Sequence, residues 1–323
     1  MFNFLSQRPL PEIDISRDEN ANNGSDAETL AASKIVQATR GEIRWSSREE
    51  DNTKKDLHLS TKHPWHEKDR LEVDIQVKSG ASNGSLTKGG FKVKKQAYKA
   101  LLKKKNPTCL LWVDYHSGKV YWTYVHPNSN LDKHNSFSDI HLVTPSTLYD
   151  LARCQARHKG AYQRGGHGLQ ISSRSMPVAV LREKARNSIK KKNKFDSPVL
   201  GEILFTKSSW RHMFRASRNK SGKESSLRVI PQLSNILSRV PKTHFISDYS
   251  FTENREMVTR STSHILKYPG ATRGEGPNSE VIDLFIKVQE DVRYPKNWRE
   301  KVLLSQLVDR QVTLVSCYYK ASH

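Results

Sequence analysis

The sequence predicts two units, a mixed α/β half followed by an α+β half. Three observations carry this expectation. A helical pattern precedes short strands, the clearest an eight-residue alternating run at Leu71–Lys78. The composition shifts between Lys159 and Asp196 toward glycine and basic residues. In the last third, helical spacing comes first and four strand-like runs follow, the order of an α+β unit. At 323 residues the chain also exceeds the roughly 100–200 residues of one ordinary domain.

Residues 1–24 read as a leader, punctuated by Pro9, Pro11, Asn20, Asn22, Asn23 and Gly24. Ser25-Asp26-Ala27-Glu28 then spells a capping box, with Ser25 as N-cap and Glu28 reaching back. The helix it opens presents Ala27, Leu30, Ala31, Ile35 and Ala38 on one face, and Gly41 is its expected stop. Short strands are expected at 42–45 and 56–60. In the next strand Leu71, Val73, Ile75 and Val77 face one way and Glu72, Asp74, Gln76 and Lys78 the other. A loop at 79–85 leads into Phe91–Lys105, which holds seven lysines and no acid. Two strands, 109–115 and 119–125, and a helix from Ser146 complete a first domain at 25–158. Residues 159–195 read as a basic, glycine-containing linker in which Arg182–Lys194 carries seven basic residues and one acid. The second domain, 196–323, is expected to hold a strand at 201–205, helices at 208–216 and 225–240, and four antiparallel strands at 243–251, 256–267, 280–288 and 311–319.

Charge narrows the function classes. Lys and Arg total 54 against 33 Asp and Glu, a formal net charge of +21. Such a field most often serves nucleic acid. No run approaches the ~18 apolar residues of a membrane span, and no segment joins a basic face to a large apolar one, so a membrane is not an expected partner. Met1-Phe2-Asn3-Phe4-Leu5 has no basic n-region, which argues against a secretory signal. Cys109, Cys154 and Cys317 lie at least 45 residues apart, which disfavours a disulfide framework or zinc knuckle and fits a cytoplasmic protein. The oligomeric state is left open, with an oligomer allowed.

Hydrolysis of a phosphodiester at neutral pH needs an activated water and stabilisation of negative charge. Mg²⁺ bound by one or two carboxylates supplies the first, and a nearby lysine helps with the second. Gln76 and Lys78 put an amide and an ammonium on one strand face, two residues apart. Asp56 on the preceding strand can lie opposite them, and Glu28 on the first helix offers a second carboxylate.

This order, Glu28, then Asp56, then Ile75-Gln76-Val77-Lys78-Ser79-Gly80, resembles the PD-(D/E)XK nuclease superfamily. Within it, an uncharacterised bacterial branch marked by an Asp and a later Q-V-K-S/T-G signature is most similar. The resemblance covers residues 25–157. It implies a restriction-endonuclease-like α/β fold, Asp56 as motif aspartate and metal ligand, and Gln76 and Lys78 as the last two motif positions, with Gln76 also on the metal. It further implies Glu28 as the helical glutamate and Mg²⁺ as cofactor. DNA is implied more than RNA as partner, with roles in defence or mobile elements. Two departures stand out: Gln76 replaces the usual acid, and Asp51 rivals Asp56. A neutral amide at a ligand position also suits a non-catalytic nucleic-acid-binding protein. The expected phosphate contacts are Lys92, Lys94, Lys95, Lys103, Lys104 and Lys105, with Lys190, Lys191 and Lys192 in the linker.

In the last third, His212 and Arg215 share an expected helix face, Arg260 and His264 share a strand face, and Ser316 and Tyr318 share a face of the last strand. His, Arg and a hydroxyl are what metal-free RNA cleavage needs. With its helices ahead of its strands, this half is loosely similar to barnase/EndoU/RelE-like ribonucleases. The similarity implies a metal-independent RNase built from His212, Arg215, Arg260, His264 and Ser316 as an alternative function.

Overall fold

The computed structural model describes residues 20–46, 55–127, 129–132, 134–159, 165–274, 276 and 279–322. Helix α1 spans Asn20–Thr39 and buries Ala27, Ala31, Ile35 and Ala38, the stripe the sequence predicts. It starts five residues ahead of Ser25, so Ser25 and Glu28 lie inside the helix and the expected capping box is not formed. Residues 20–24 of the expected leader thus belong to the helix, and residues 1–19 lie outside the described residues. The helix ends on Arg40, at φ 55°, and the Gly41 N–H donates back to the Val36 carbonyl at 3.2 Å. Gly41 is needed for closeness: a Cβ there would meet the Ser60 carbonyl at 2.9 Å.

The first unit is built on a five-stranded sheet ordered β1-β2-β3-β6-β7, comprising Glu42–Trp45, Leu57–Lys62, Arg70–Ser79, Thr108–Val113 and Val120–Val125. Strands β3 and β6 run parallel and every other pair is antiparallel. A parallel step needs a long crossover. It is supplied by α2 (Gly80–Asn83), β4 (Gly84–Thr87), β5 (Gly90–Val93), α3 (Lys95–Tyr98) and a 3₁₀ turn at Leu101–Lys103. Strand β8 (Ser136–Ser138) joins β4 and β5 in a three-stranded sheet. The alternation of β3 decides the layers. Leu71, Val73, Ile75 and Val77 pack under α1 and α4 (Thr147–Lys159). On the other face, Leu110 and Trp112 of β6 pack with Phe91, Tyr98 and Leu101 of the crossover.

The second unit begins earlier than the sequence suggests. Within the expected linker, β9 (Gln170–Ile171) pairs with a later strand, and α5 (Val178–Lys191) buries Leu181 and Ala185 in the second core. The amphipathic pattern of α5 is masked in the sequence by its basic residues. Strands β10 (Lys194–Ser197) and β11 (Gly201–Leu204) are followed by α6 (Lys207–Met213), α7 (Lys220–Val229) and α8 (Leu233–Leu237). The four expected strands are present and longer: β12 Thr243–Glu253, β13 Met257–Arg273, β14 Glu280–Pro295 and β15 Asp309–Ala321, with the short helix α9 (Leu304–Leu307) before the last. The sheet runs β10-β11-β15-β14-β13-β12 with β9 beside β13. It is not the purely antiparallel four-stranded sheet expected, because β11 and β9 join it in parallel.

The units are not separate bodies. Val292 and Tyr294 from the far end of β14, with Trp298 and Leu304, belong to the first unit's core. Where α4 meets the long strands, a charged cluster is buried. Arg153 donates to Asp150 at 2.8 Å and to Glu290 at 2.6 Å, and Arg260 donates to Asp150 at 2.6 Å and 3.0 Å. Arg310 reaches the other Glu290 oxygen at 2.7 Å. His264 lies between Glu290 (3.2 Å) and His244 (3.0 Å). Burial alone raises the Glu290 pKa, but Arg153 and then Arg310 pull it well below the usual carboxylate range. Burial, with Arg153 adding to it, lowers His264; burial, with His264 and Arg153 adding, lowers His244 further.

Two stability predictions follow from this cluster. Glu290→Gln leaves buried guanidiniums uncompensated and should cost about 3–5 kcal/mol in urea unfolding. Lys296→Ala, which breaks an exposed 2.8 Å pair with Glu253, should cost under about 1 kcal/mol. Equal losses would show that the cluster is no more than a surface pair in effect. The two histidines have folded pKa values below their unfolded value, so their contribution is complete above about pH 6.5. It is lost as pH falls, because the unfolded chain takes up protons first. Stability should drop between pH 7 and 5 by up to about 1.4 kcal/mol per pH unit for each histidine. A flat melting profile across that window would contradict buried neutral histidines.

Candidate active site on the small sheet

Asp56 stands one residue ahead of β2, where its N–H still donates to the Ile75 carbonyl at 2.9 Å. Leu57 lies opposite Ile75 and belongs to the α1-side core, so Asp56 turns to the other face, the face of Gln76. Its carboxylate accepts the Gln76 side-chain N–H and, at 2.6 Å, the Val77 backbone N–H. Gln76 is 2% exposed, and its Oε1 is buried with no hydrogen-bond partner. Lys78 follows two residues on, half-buried on the same face. The structure brings Asp56 and Gln76 into contact and sets Lys78 on the same strand face. Glu28 is half-buried on α1, the helix packed against the opposite face. Asp51 lies outside the described residues.

Five neighbours complete the surface. Asp74 takes Lys55 at 2.8 Å and the His58 Nδ1 at 2.9 Å, while the His58 Nε2 meets Glu72 at 2.7 Å. Burial raises the Asp74 pKa, but hydrogen bonds from Lys55 and His58 bring it below the ordinary value. Lys104 reaches Thr108 Oγ1 at 3.3 Å. Its ammonium pKa is lowered, mainly by burial and also by Lys55, against the pull of Asp74 and Asp56. Lys104 thus belongs to the site as well as to the lysine stretch, because the 3₁₀ turn folds it back beside β3. Only its place in the crossover reveals this. Asp74 was visible from the strand alternation.

The donors present, a carboxylate and an amide oxygen without a partner, are hard oxygen ligands of the kind Mg²⁺ takes in small number beside its waters. Among the described residues no three His, Cys, Asp or Glu side chains gather as a metal cluster.

The other expected contacts fare unevenly. Lys92, Lys94, Lys95, Lys103 and Lys105 are exposed, with Lys95 paired to Asp132 at 3.0 Å. Lys190, Lys191 and Lys192 are exposed around the C-terminal end of α5, where cations also complement the helix dipole.

The expected ribonuclease group does not assemble. Arg260 and His264 share a face as predicted, but that face is buried and both side chains are consumed by Asp150 and Glu290. Ser316 lies opposite Lys287, whereas His264 lies opposite Val288, the next residue of β14. Ser316 and His264 therefore point to opposite faces of the sheet. Arg215 lies two residues beyond the end of α6, so it does not share a helical face with His212. The His212 pKa is lowered by burial and by three cations, Arg215, Arg218 and Lys287, with no acid opposing them.

Compared with protein-family models, curated proteins and solved structures, the chain matches none of them. Among the described residues no helix is long and apolar enough to cross a membrane.

Proposed function

We propose that this chain is a Mg²⁺-dependent nuclease of PD-(D/E)XK type that hydrolyses phosphodiester bonds of nucleic acid. The observation that carries this reading is the register that sets Asp56 against Gln76, with Lys78 two residues on, where β3 runs parallel to β6. Asp56 and the Gln76 Oε1 are the groups that would hold the metal. When bound, Mg²⁺ lowers the pKa of a coordinated water and screens the phosphate. Lys78 orients the attacking water or meets the charge that develops on the phosphate oxygens. Lys104, already partly stripped of water beside Asp56 and Asp74, adds positive charge where the substrate phosphate enters.

Asp56→Ala and Lys78→Ala should each lower cleavage about 10²-fold or more while leaving binding in EDTA nearly unchanged. Full activity in Lys78→Ala would remove it from the mechanism. Gln76→Glu should keep or raise activity in Mg²⁺, because the acid offers a charged ligand where the amide offers a neutral one.

A second reading, a non-catalytic nucleic-acid-binding protein, draws support from the Gln76 amide, which donates to Asp56 and occupies the carboxylate with a protein contact. Cleavage by no preparation in any divalent metal, with binding retained, would favour it. On either reading the exposed lysines meet phosphate. Replacing Lys103 and Lys105 with Ala should lower the slope of log affinity against log salt by up to about 2. An unchanged slope would mean that they only solvate the turn.

A further inference from the structure

We propose that the open face of the large sheet is a platform for single-stranded nucleic acid, with bases stacking on Phe285 and Tyr318 and phosphates meeting Lys287 and Lys320. This rests on nucleic acid being the partner, and it is independent of chemistry at Asp56.

Cross-strand partners share a face, so the register lays the surface out in rows. One row is Thr243, Lys267, Phe285 and Tyr318; the next is Phe245, Ile265, Lys287 and Ser316. The intervening residues, Leu266, Leu284, Ile286 and Cys317, point the other way into the core beneath α5, α6 and α7. The half-buried rings of Phe285 and Tyr318 lie side by side, centroids 5.3 Å apart and 12° from parallel. The Lys267 ammonium stands 5.6 Å from the Phe285 ring, and that of Lys320 stands 5.9 Å from Phe285 and 6.0 Å from Tyr318. Phe245 widens the apolar area at 45% exposure.

Close to the ring pair cations outnumber acids, whereas the exposed Asp248 and the half-buried Asp291 lie in rows farther along the face. Lys267 is answered by Asp283 at 2.7 Å, and Asp291 is held by Ser261 at 2.6 Å. Lys287 and Lys320 form no ion pair among the described residues. A wet antiparallel face needs no aromatic pair. Rings flanked by unpaired cations match a polyanion whose bases are free to stack, and a duplex hides its base faces.

The test uses the full chain in EDTA, which stops metal-dependent cleavage, with labelled oligo(dU), oligo(rU) and a duplex of equal length. Both single strands should bind more tightly than the duplex. Phe285→Leu and Tyr318→Leu, which keep apolar bulk, should each weaken single-strand binding about tenfold at an unchanged salt slope, and Tyr318→Trp should retain it. Lys287→Ala should lower the slope by about 1. Preference for one single strand would assign the sugar. Wild-type affinity in both leucine variants, with thermal melts showing them folded, overturns the platform. Binding of the duplex alone overturns it too, yet leaves the nuclease reading standing. Binding of none of the probes defeats both.

Discussion

Asp150 and Glu290, two carboxylates almost without solvent, and the guanidiniums of Arg153, Arg260 and Arg310 fix how helix α4 meets the long strands. Removing such charges from water costs about as much as their attraction returns, so the cluster adds little net stability. Its weight lies in specificity. Any other seating of α4 on β13 and β14 would leave a buried charge without a partner. The apolar contacts of Val292, Tyr294 and Trp298 with the first core are not directional, and the ion cluster supplies the direction they lack.

That junction also sorts the histidines and arginines of the last third. A strand that buries Arg260 and His264 against acids on a neighbouring helix and a neighbouring strand has used them structurally. The opposite face of the same strands keeps the cations without partners. One sheet therefore does two jobs, separated by the period-two alternation of its side chains. The five-stranded sheet divides its labour likewise: one face of β3 makes the core under α1, and the other carries Asp56, Gln76 and Lys78, with Lys104 beside it.

The candidate site depends on a single topological feature, the parallel step from β3 to β6. The crossover it requires carries the lysine stretch across the sheet and returns Lys104 beside Asp74. With an antiparallel turn in its place, Lys104 would not return beside Asp74 and Asp56. The basic surplus of the chain thus reaches the site by chain geometry, not by charge alone.

The sequence by itself determined the elements whose signal is local. The alternation of Leu71–Lys78, the stripe of Ala27, Ala31, Ile35 and Ala38, and the helices-then-strands order of the second unit are properties of consecutive residues, and they reappear in the fold. The meeting of Asp56 with Gln76 was legible for a related reason, since register opposite a strongly alternating strand leaves few choices. Tertiary structure alone decided what depends on distant partners. The capping box at Ser25 lost to a helix that starts at Asn20. The basic run at Arg182–Lys194 became α5 because Leu181 and Ala185 found a core. Arg260 and His264, polar residues at core positions, became structural because Asp150 and Glu290, far off in sequence, were there to meet them. Charge pairing of that kind has no period to read, and only the packed chain brings the partners together.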